Sequence, residues 1–364
     1  MSNDAIASFD KALEIQPDFD LAWYNRGVQL SHLGRFEDAI ASLEQATEIQ
    51  SDFYEAWYAL ASALDKIGRH EDAIASYEQA AQTNPGSHEV WIDRGVVEAN
   101  LGRWYDAISS WDKALEIKPD YYLAWFNCAI ALENLGHHEE AIASYDKAIA
   151  INPHFDLAWY NRAVVLFYLQ RFEEAIASYD NALQIKPDTW EAWIGRGYAA
   201  GNAVSNDSHL TFFSTIAAAN PTLCERGYEG KLASYEQGLK YVRQDTHLEG
   251  WGRLRLALGN AHYDQGKRHP TPCYYWHQAV GEYNEALSTL TPEAIPQLHL
   301  EVLQNLIKTL VSLGQTSQAQ ELHQYATDLL QYLVNQTTES DESKKQLALK
   351  YAGFEQLAVD IAMQ

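Results

Sequence analysis

Several broad classes of protein are ruled out by what this 364-residue sequence has little of. Three cysteines, Cys128, Cys224 and Cys273, are too few and too scattered for a disulfide framework, so a reducing compartment is expected. The opening Met1-Ser-Asn-Asp has no apolar signal core, and no later stretch is long and apolar enough to span a bilayer. The chain therefore reads as soluble and cytoplasmic. Basic residues are scarce, 26 Lys and Arg against 50 Asp and Glu, for a formal net charge of −24. A nucleic-acid partner needs clustered Lys and Arg, and the balance argues against one; basic or apolar protein segments are the expected partners. No glycine-rich phosphate loop or catalytic carboxylate pair stands out, so neither a cofactor nor an enzyme is predicted.

What the sequence has instead is repetition. Trp23, Trp57, Trp91, Trp125, Trp159 and Trp193 stand 34 residues apart, and Pro17, Pro85, Pro119, Pro153, Pro187 and Pro221 keep the same beat, with Ser51 where one is missing. Such a period means stacked units. Within a unit, Trp23, Arg26, Gly27 and Leu30 fall at helical spacing, and so do Ala39, Leu43 and Ala46, which predicts two helices per unit. Gly34, Gly68, Gly102 and Gly136 mark the end of the first helix, where a left-handed cap suits a residue without Cβ; Gln170 is the exception. Acidic pairs such as Glu37-Asp38 and Glu139-Glu140 open the second helix and complement its dipole. Small residues recur in two rows, Gly27, Ala61, Gly95, Ala129, Ala163 and Gly197 in one and Ala39, Ala73, Ala107, Ala141 and Ala175 in the other. They let backbones approach, with each tryptophan expected to fill the space beside the gap.

The pattern Trp-x-x-x-Gly…Leu-Gly…Ala-x-x-x-Tyr-x-x-Ala…Pro resembles the tetratricopeptide repeat family. The resemblance implies an all-α, right-handed α-solenoid of about eight helix-turn-helix units, each stabilised by its neighbours. Arginine at positions 26, 94, 162 and 196 replaces the family's usual leucine; its aliphatic stem can still cover apolar surface. Residues 1–19 repeat a second helix only, which suggests a piece of a longer protein or an end covered by another chain, including a homodimer. Residues 20–189 hold five regular units. The sixth spans 190–243, with roughly 22 residues inserted near 203–225 if Tyr235 answers Tyr77; a rival register makes Ser208 to Ala219 its second helix, because Phe213 and Pro221 keep the beat. Residues 244–335 form two divergent units, with Lys267 to Tyr275 a loop whose two prolines exclude helix. A linker and a terminal helix, Ser343 to Met363, occupy 336–364. From Tyr228 onward the chain more loosely resembles the region preceding the caspase-like CHAT peptidase domain, on Gly250-Trp-Gly-Arg-Leu, Gly259-Asn-Ala-His-Tyr263, Tyr275-Trp-His-Gln-Ala279 and Lys345-Gln-Leu-Ala-Leu-Lys350. That implies a recognition arm for chemistry located elsewhere.

In the family, the place just after the tryptophan faces the concave groove. Here it holds Tyr24, Tyr58, Ile92, Phe126, Tyr160 and Ile194. Asn25, Asn127 and Asn161 follow one residue on, resembling an incomplete asparagine ladder, and Val28, Ile130, Val164 and Tyr198 form a third row. One reading makes these a groove for a peptide or helix, with rings for contact area and asparagine amides for its backbone. The other has the rings pack on the adjoining unit and the asparagines face water. No Lys or Arg occupies the rows, which argues against capture of a terminal carboxylate. His262, His269, Cys273 and His277 raise the alternative of a zinc or cysteine enzyme centred on 269–277; their spacing lacks a paired-cysteine motif and an orienting third group.

Overall fold

The computed structural model describes residues 2–203, 215–336 and 352–363. Among these every regular element is helical. The chain falls into two compact units, Met1–Ala158 and Trp159–Gln364.

The first unit alternates the two kinds of helix that the repeat predicts. A lone α1 (Ser2–Ile15) is followed by the pairs α2 (Asp20–His32) with α3 (Phe36–Ile49), α4 (Tyr54–Lys66) with α5 (His70–Thr83), α6 (His88–Asn100) with α7 (Trp104–Ile117), and α8 (Tyr122–Asn134) with α9 (His138–Ile151). Each helix from α2 to α8 packs on the one before and the one after it, so its apolar stripe is closed by neighbours. α10 (Asp156–Tyr168) carries the chain across the boundary between the units.

The second unit continues with α11 (Phe172–Ile185) and α12 (Trp190–Asn202), then departs from the beat. The helix that pairs with α12 is α14 (Gly227–Tyr241); before it come a short α13 (Thr215–Ala219) and a 3₁₀ turn at Pro221–Cys224. Of the rival sixth helix, residues 208–214, Phe213 included, lie outside the described residues. α15 (Leu248–Arg268) packs on α16 (Pro272–Leu287), α17 (Pro296–Ser312) on α18 (Thr316–Gln336), and α19 (Gly353–Ala362) lies against α17 and α18. The loop expected over Lys267 to Tyr275 is three residues long, 269–271. Pro272 does not exclude helix; it begins one, because the first helical position needs neither the missing N–H nor a free φ. The linker expected from residue 336 likewise starts later, Gln336 being helical; residues 343–351 of the expected terminal helix lie outside the described residues.

Helix ends follow the residues foreseen. Gly34, Gly68, Gly102 and Gly136 take φ between 72° and 79°. The following N–H reaches back into the last turn, Arg35 to Leu30 at 3.0 Å and Arg69 to Leu64 at 3.0 Å, a paired closure of otherwise orphaned carbonyls. Gln170 adopts the same conformation at φ 61°, and Arg171 N–H still reaches Leu166 at 2.9 Å. The turn therefore outweighs the steric cost of a Cβ there, about 1 kcal/mol. Four first helices are tied to the preceding turn by their tryptophan: the indole N–H of Trp23, Trp57, Trp125 and Trp193 donates to the carbonyl six residues earlier at 2.8–3.0 Å.

What fills the gap over the small-residue row is the second helix's own large residue, not the tryptophan. A Cβ on Gly27 would lie 2.6 Å from Leu43 Cγ, and Gly95 and Gly197 are closed as tightly by Trp111 and Tyr235. The substituted arginines are also more than stems. Arg26 donates to Asp10 at 2.7 Å and Ser42 at 2.6 Å, sixteen residues before and after it. Arg162 donates to Ser178 at 2.6 Å. Arg196 is fully buried and donates to Asp180 at 2.6 Å, Ser234 at 2.8 Å and the Leu223 carbonyl at 2.9 Å. Arg94 serves the buried Glu98 at 3.0 Å, whose other oxygen accepts from Ser110 at 2.7 Å. Each clamp joins neighbouring helices through charge-assisted bonds.

Candidate functional site

The first helices carry the rows singled out from the sequence, and each ring is seated on a neighbour. Tyr24 lies 5.0 Å from Phe53. Tyr58 packs on Tyr77 at 5.7 Å, and its hydroxyl donates to Asp93. Phe126 sits between Phe155 at 4.8 Å and Tyr145 at 5.8 Å, and Tyr160 meets Tyr179 at 6.0 Å. Ring pairs of this kind add to the area buried; they also fix the side chains, so the row is ordered before anything binds. Ile92 is buried and belongs to the core around Trp111. Tyr24, Tyr58, Phe126, Tyr160 and Ile194 are half-exposed, and Tyr198 is exposed.

The asparagines differ among themselves. Asn25 donates its amide to the Leu21 carbonyl of its own helix at 2.8 Å. Asn127 and Asn161 are half-exposed. Val28, Ile130 and Val164 are half-exposed beside them.

Electrostatics along the rows are acidic. Burial pushes the phenols of Tyr24 and Tyr160 up, aided by Glu55 and Glu191 respectively. Burial does the same to Tyr58, with Asp93 next, and burial raises Asp93 itself, with Asp65 and Glu89 adding to the shift. All these tyrosines are neutral donors at physiological pH.

Two hollows open on the rows. One of about 330 Å³ is walled by Tyr24, Val28, Tyr54, Glu55, Tyr58 and Ser62, with Ser31, His32 and Ala59. The other, of about 300 Å³, has Tyr160, Val164, Trp190, Glu191, Ile194 and Tyr198, with Phe167, Tyr168, Tyr179 and Gly195. Every residue of the first has its counterpart in the second 136 positions later, four repeat lengths. The unit thus makes the same hollow twice. This chain carries tetratricopeptide repeats.

Family models described as tetratricopeptide repeat match residues 8–41, 30–88, 122–155 and 157–189. Tetratricopeptide repeats make the chain a scaffold for protein–protein contacts. No curated protein matches it. Among solved structures it is similar to YrrB, described as a TPR protein with an unusual peptide-binding site, at 24% identity over 50% of this chain and 95% of that one, with a TM-score of 0.45. It is also similar to MamA from Desulfovibrio magneticus RS-1, at 14% identity over 47% and 96% with a TM-score of 0.43. PilF from Pseudomonas aeruginosa matches at 18% identity over 50% and 82%, again with a TM-score of 0.43.

The histidine and cysteine alternative gains nothing from the fold. His262 bonds to the Tyr228 hydroxyl at 2.7 Å, and His269 accepts from the Thr271 N–H at 3.2 Å. Cys273 and His277 are exposed. Among the described residues no three His, Cys, Asp or Glu side chains are grouped to hold a metal, and no helix is long and apolar enough to cross a membrane. Sequence reasoning missed Glu55 and Glu191, although they recur two places before the tryptophan at 57 and 193, in step with the repeat.

Proposed function

We propose that the chain is a non-enzymatic scaffold for partner proteins, each tyrosine-row hollow by itself taking one apolar side chain of a partner segment. The observation that carries this is the recurrence of one ring-walled hollow four repeats apart. Incidental surface relief has no reason to reuse nine equivalent positions. Each hollow has a single glutamate, Glu55 or Glu191, and no Lys or Arg in its wall. The segment it suits pairs an aromatic or aliphatic residue with a neighbouring lysine or arginine. Side chains already locked by ring contacts reduce the ordering cost of binding.

The test is selection from a random peptide display library on the full chain. Enriched sequences are expected to combine a large apolar residue with a basic one. Binding is expected to fall when Glu55→Lys and Glu191→Lys are made together, two half-exposed or exposed changes that leave the core untouched. Peptides that bind the folded double variant as well as the parent would overturn the reading.

A further inference from the structure

Against the acidic surplus of the chain, one cavity of about 250 Å³ gathers three lysines, Lys231, Lys267 and Lys308. They arrive from α14, the second helix of the sixth unit, and from α15 and α17 of the divergent units. The Nζ atoms of Lys267 and Lys308 stand 4.4 Å and 5.6 Å from the same Tyr263 ring, and that of Lys231 is 5.8 Å from the ring of Tyr198. Two ammonium groups sharing one ring repel each other unless an anion compensates them. Only Lys267 has a carboxylate partner among the described residues, Asp264 at 2.9 Å; Glu301 acts on Tyr198 from outside the wall.

Lys231 does not take the usual course of carrying its head out to water. It is half-buried, its stem lying across Gly201, where a Cβ would collide with it. Asn260, also in the wall, accepts at its amide oxygen from the hydroxyl of Tyr283 at 2.8 Å and from Asn305 at 3.2 Å, and its own N–H donors have no partner among the described residues.

We propose that this cavity binds a dianionic phosphoryl group. Three ammonium groups less Asp264 leave two positive charges in the wall, and a phosphoryl group brings close to two negative ones with three acceptor oxygens. A carboxylate brings one charge and two oxygens. The source is either free inorganic phosphate or a phosphorylated side chain on a protein segment. The cavity shares only Tyr198 with the walls of the tyrosine-row hollows.

The experiment is calorimetric titration of the full chain with inorganic phosphate, with acetate at equal ionic strength, and with a phosphoserine peptide beside its unphosphorylated twin. Phosphate or the phosphopeptide is expected to bind where acetate and the unphosphorylated peptide do not. Binding by free phosphate equal to that of the phosphopeptide assigns the site to the free ion; binding by the phosphopeptide alone assigns it to a protein segment. The variant Lys267→Gln/Lys308→Gln, changed at two exposed positions, is expected to weaken binding about tenfold or more, with Lys231→Gln as an independent check and circular dichroism confirming the fold. The Glu55→Lys/Glu191→Lys variant is expected to bind phosphate as the parent does. Absence of heat with both phosphoryl probes, acetate binding equal to phosphate, or unchanged affinity in the folded lysine variants would overturn the proposal.

Discussion

Replacing Arg196 by leucine is expected to be among the most damaging single changes in the chain. The guanidinium and its partner Asp180 have side chains only 1% and 3% exposed, so the substitution leaves a buried carboxylate without its counter-charge, and Ser234 and the Leu223 carbonyl without a donor. Breaking a buried pair by removing one member costs about 3–5 kcal/mol. Arg26 occupies the equivalent place, with its side chain 23% exposed and that of Asp10 48% exposed; Arg26→Leu is expected to cost no more than about 1 kcal/mol. The comparison holds geometry nearly constant and varies burial. Urea unfolding followed by circular dichroism measures both, and hydrogen exchange of α12 and α14 resolves the effect if the two units unfold separately. The double change Arg196→Met/Asp180→Leu is expected to recover most of the loss, since an apolar replacement of similar volume removes the stranded charge. Equal costs at Arg196 and Arg26, or no recovery in the double variant, would refute the reasoning.

Three further outcomes follow from the structure. Gln170→Gly is expected to stabilise the chain by about 0.5–1 kcal/mol, because the left-handed conformation is already in place and the Cβ only strains it; a lower urea midpoint would contradict this. Asp93→Asn keeps an acceptor for the Tyr58 hydroxyl and removes a carboxyl whose folded pKa burial raises. A raised carboxyl costs the parent stability as pH climbs through and beyond the unfolded value of about 3.9, so the variant is expected to be the more stable near neutrality and to lose its advantage in acid. Cys224 and Cys273 are exposed and Cys128 is buried, its thiol pushed up by burial and then by Asp112; a thiol reagent is expected to label two groups in the native chain and the third only on unfolding.

The two-helix unit was legible because its landmarks are local and repeated: glycines where φ must be positive, tryptophans six residues past a turn carbonyl, small residues beneath a large one. Identifying which large residue fills the gap was harder, since Trp23 and Leu43 are both apolar at helical spacing and only packing shows that Leu43 reaches Gly27. The arginines were read as stems because most of their partners, such as Asp10 and Ser42 of Arg26 or Asp180 and Ser234 of Arg196, stand sixteen or more positions away on other helices, where helical spacing says nothing about pairing. Pro272 misled for a local reason, the same ring that breaks a helix interior being suited to its first residue. The tyrosine rows could be named from the register, but their division into two like hollows required coordinates. The lysine cavity had no signal at all: its three residues come from the interrupted sixth unit and the two divergent ones, at no shared interval.

The arginine clamps have a bearing on how such a chain folds correctly. Modules this alike can dock out of order, since apolar faces of nearly identical shape do not distinguish a neighbour from a copy farther along. An arginine paired with an acid on the helix before it, as Arg26 is with Asp10 and Arg196 with Asp180, screens which helix face can dock there. Every second helix of the regular units offers a carboxylate at that place, Glu44, Glu78, Asp112 and Asp146 included, so the cation accepts any of these copies and is left stranded only against a face that lacks one.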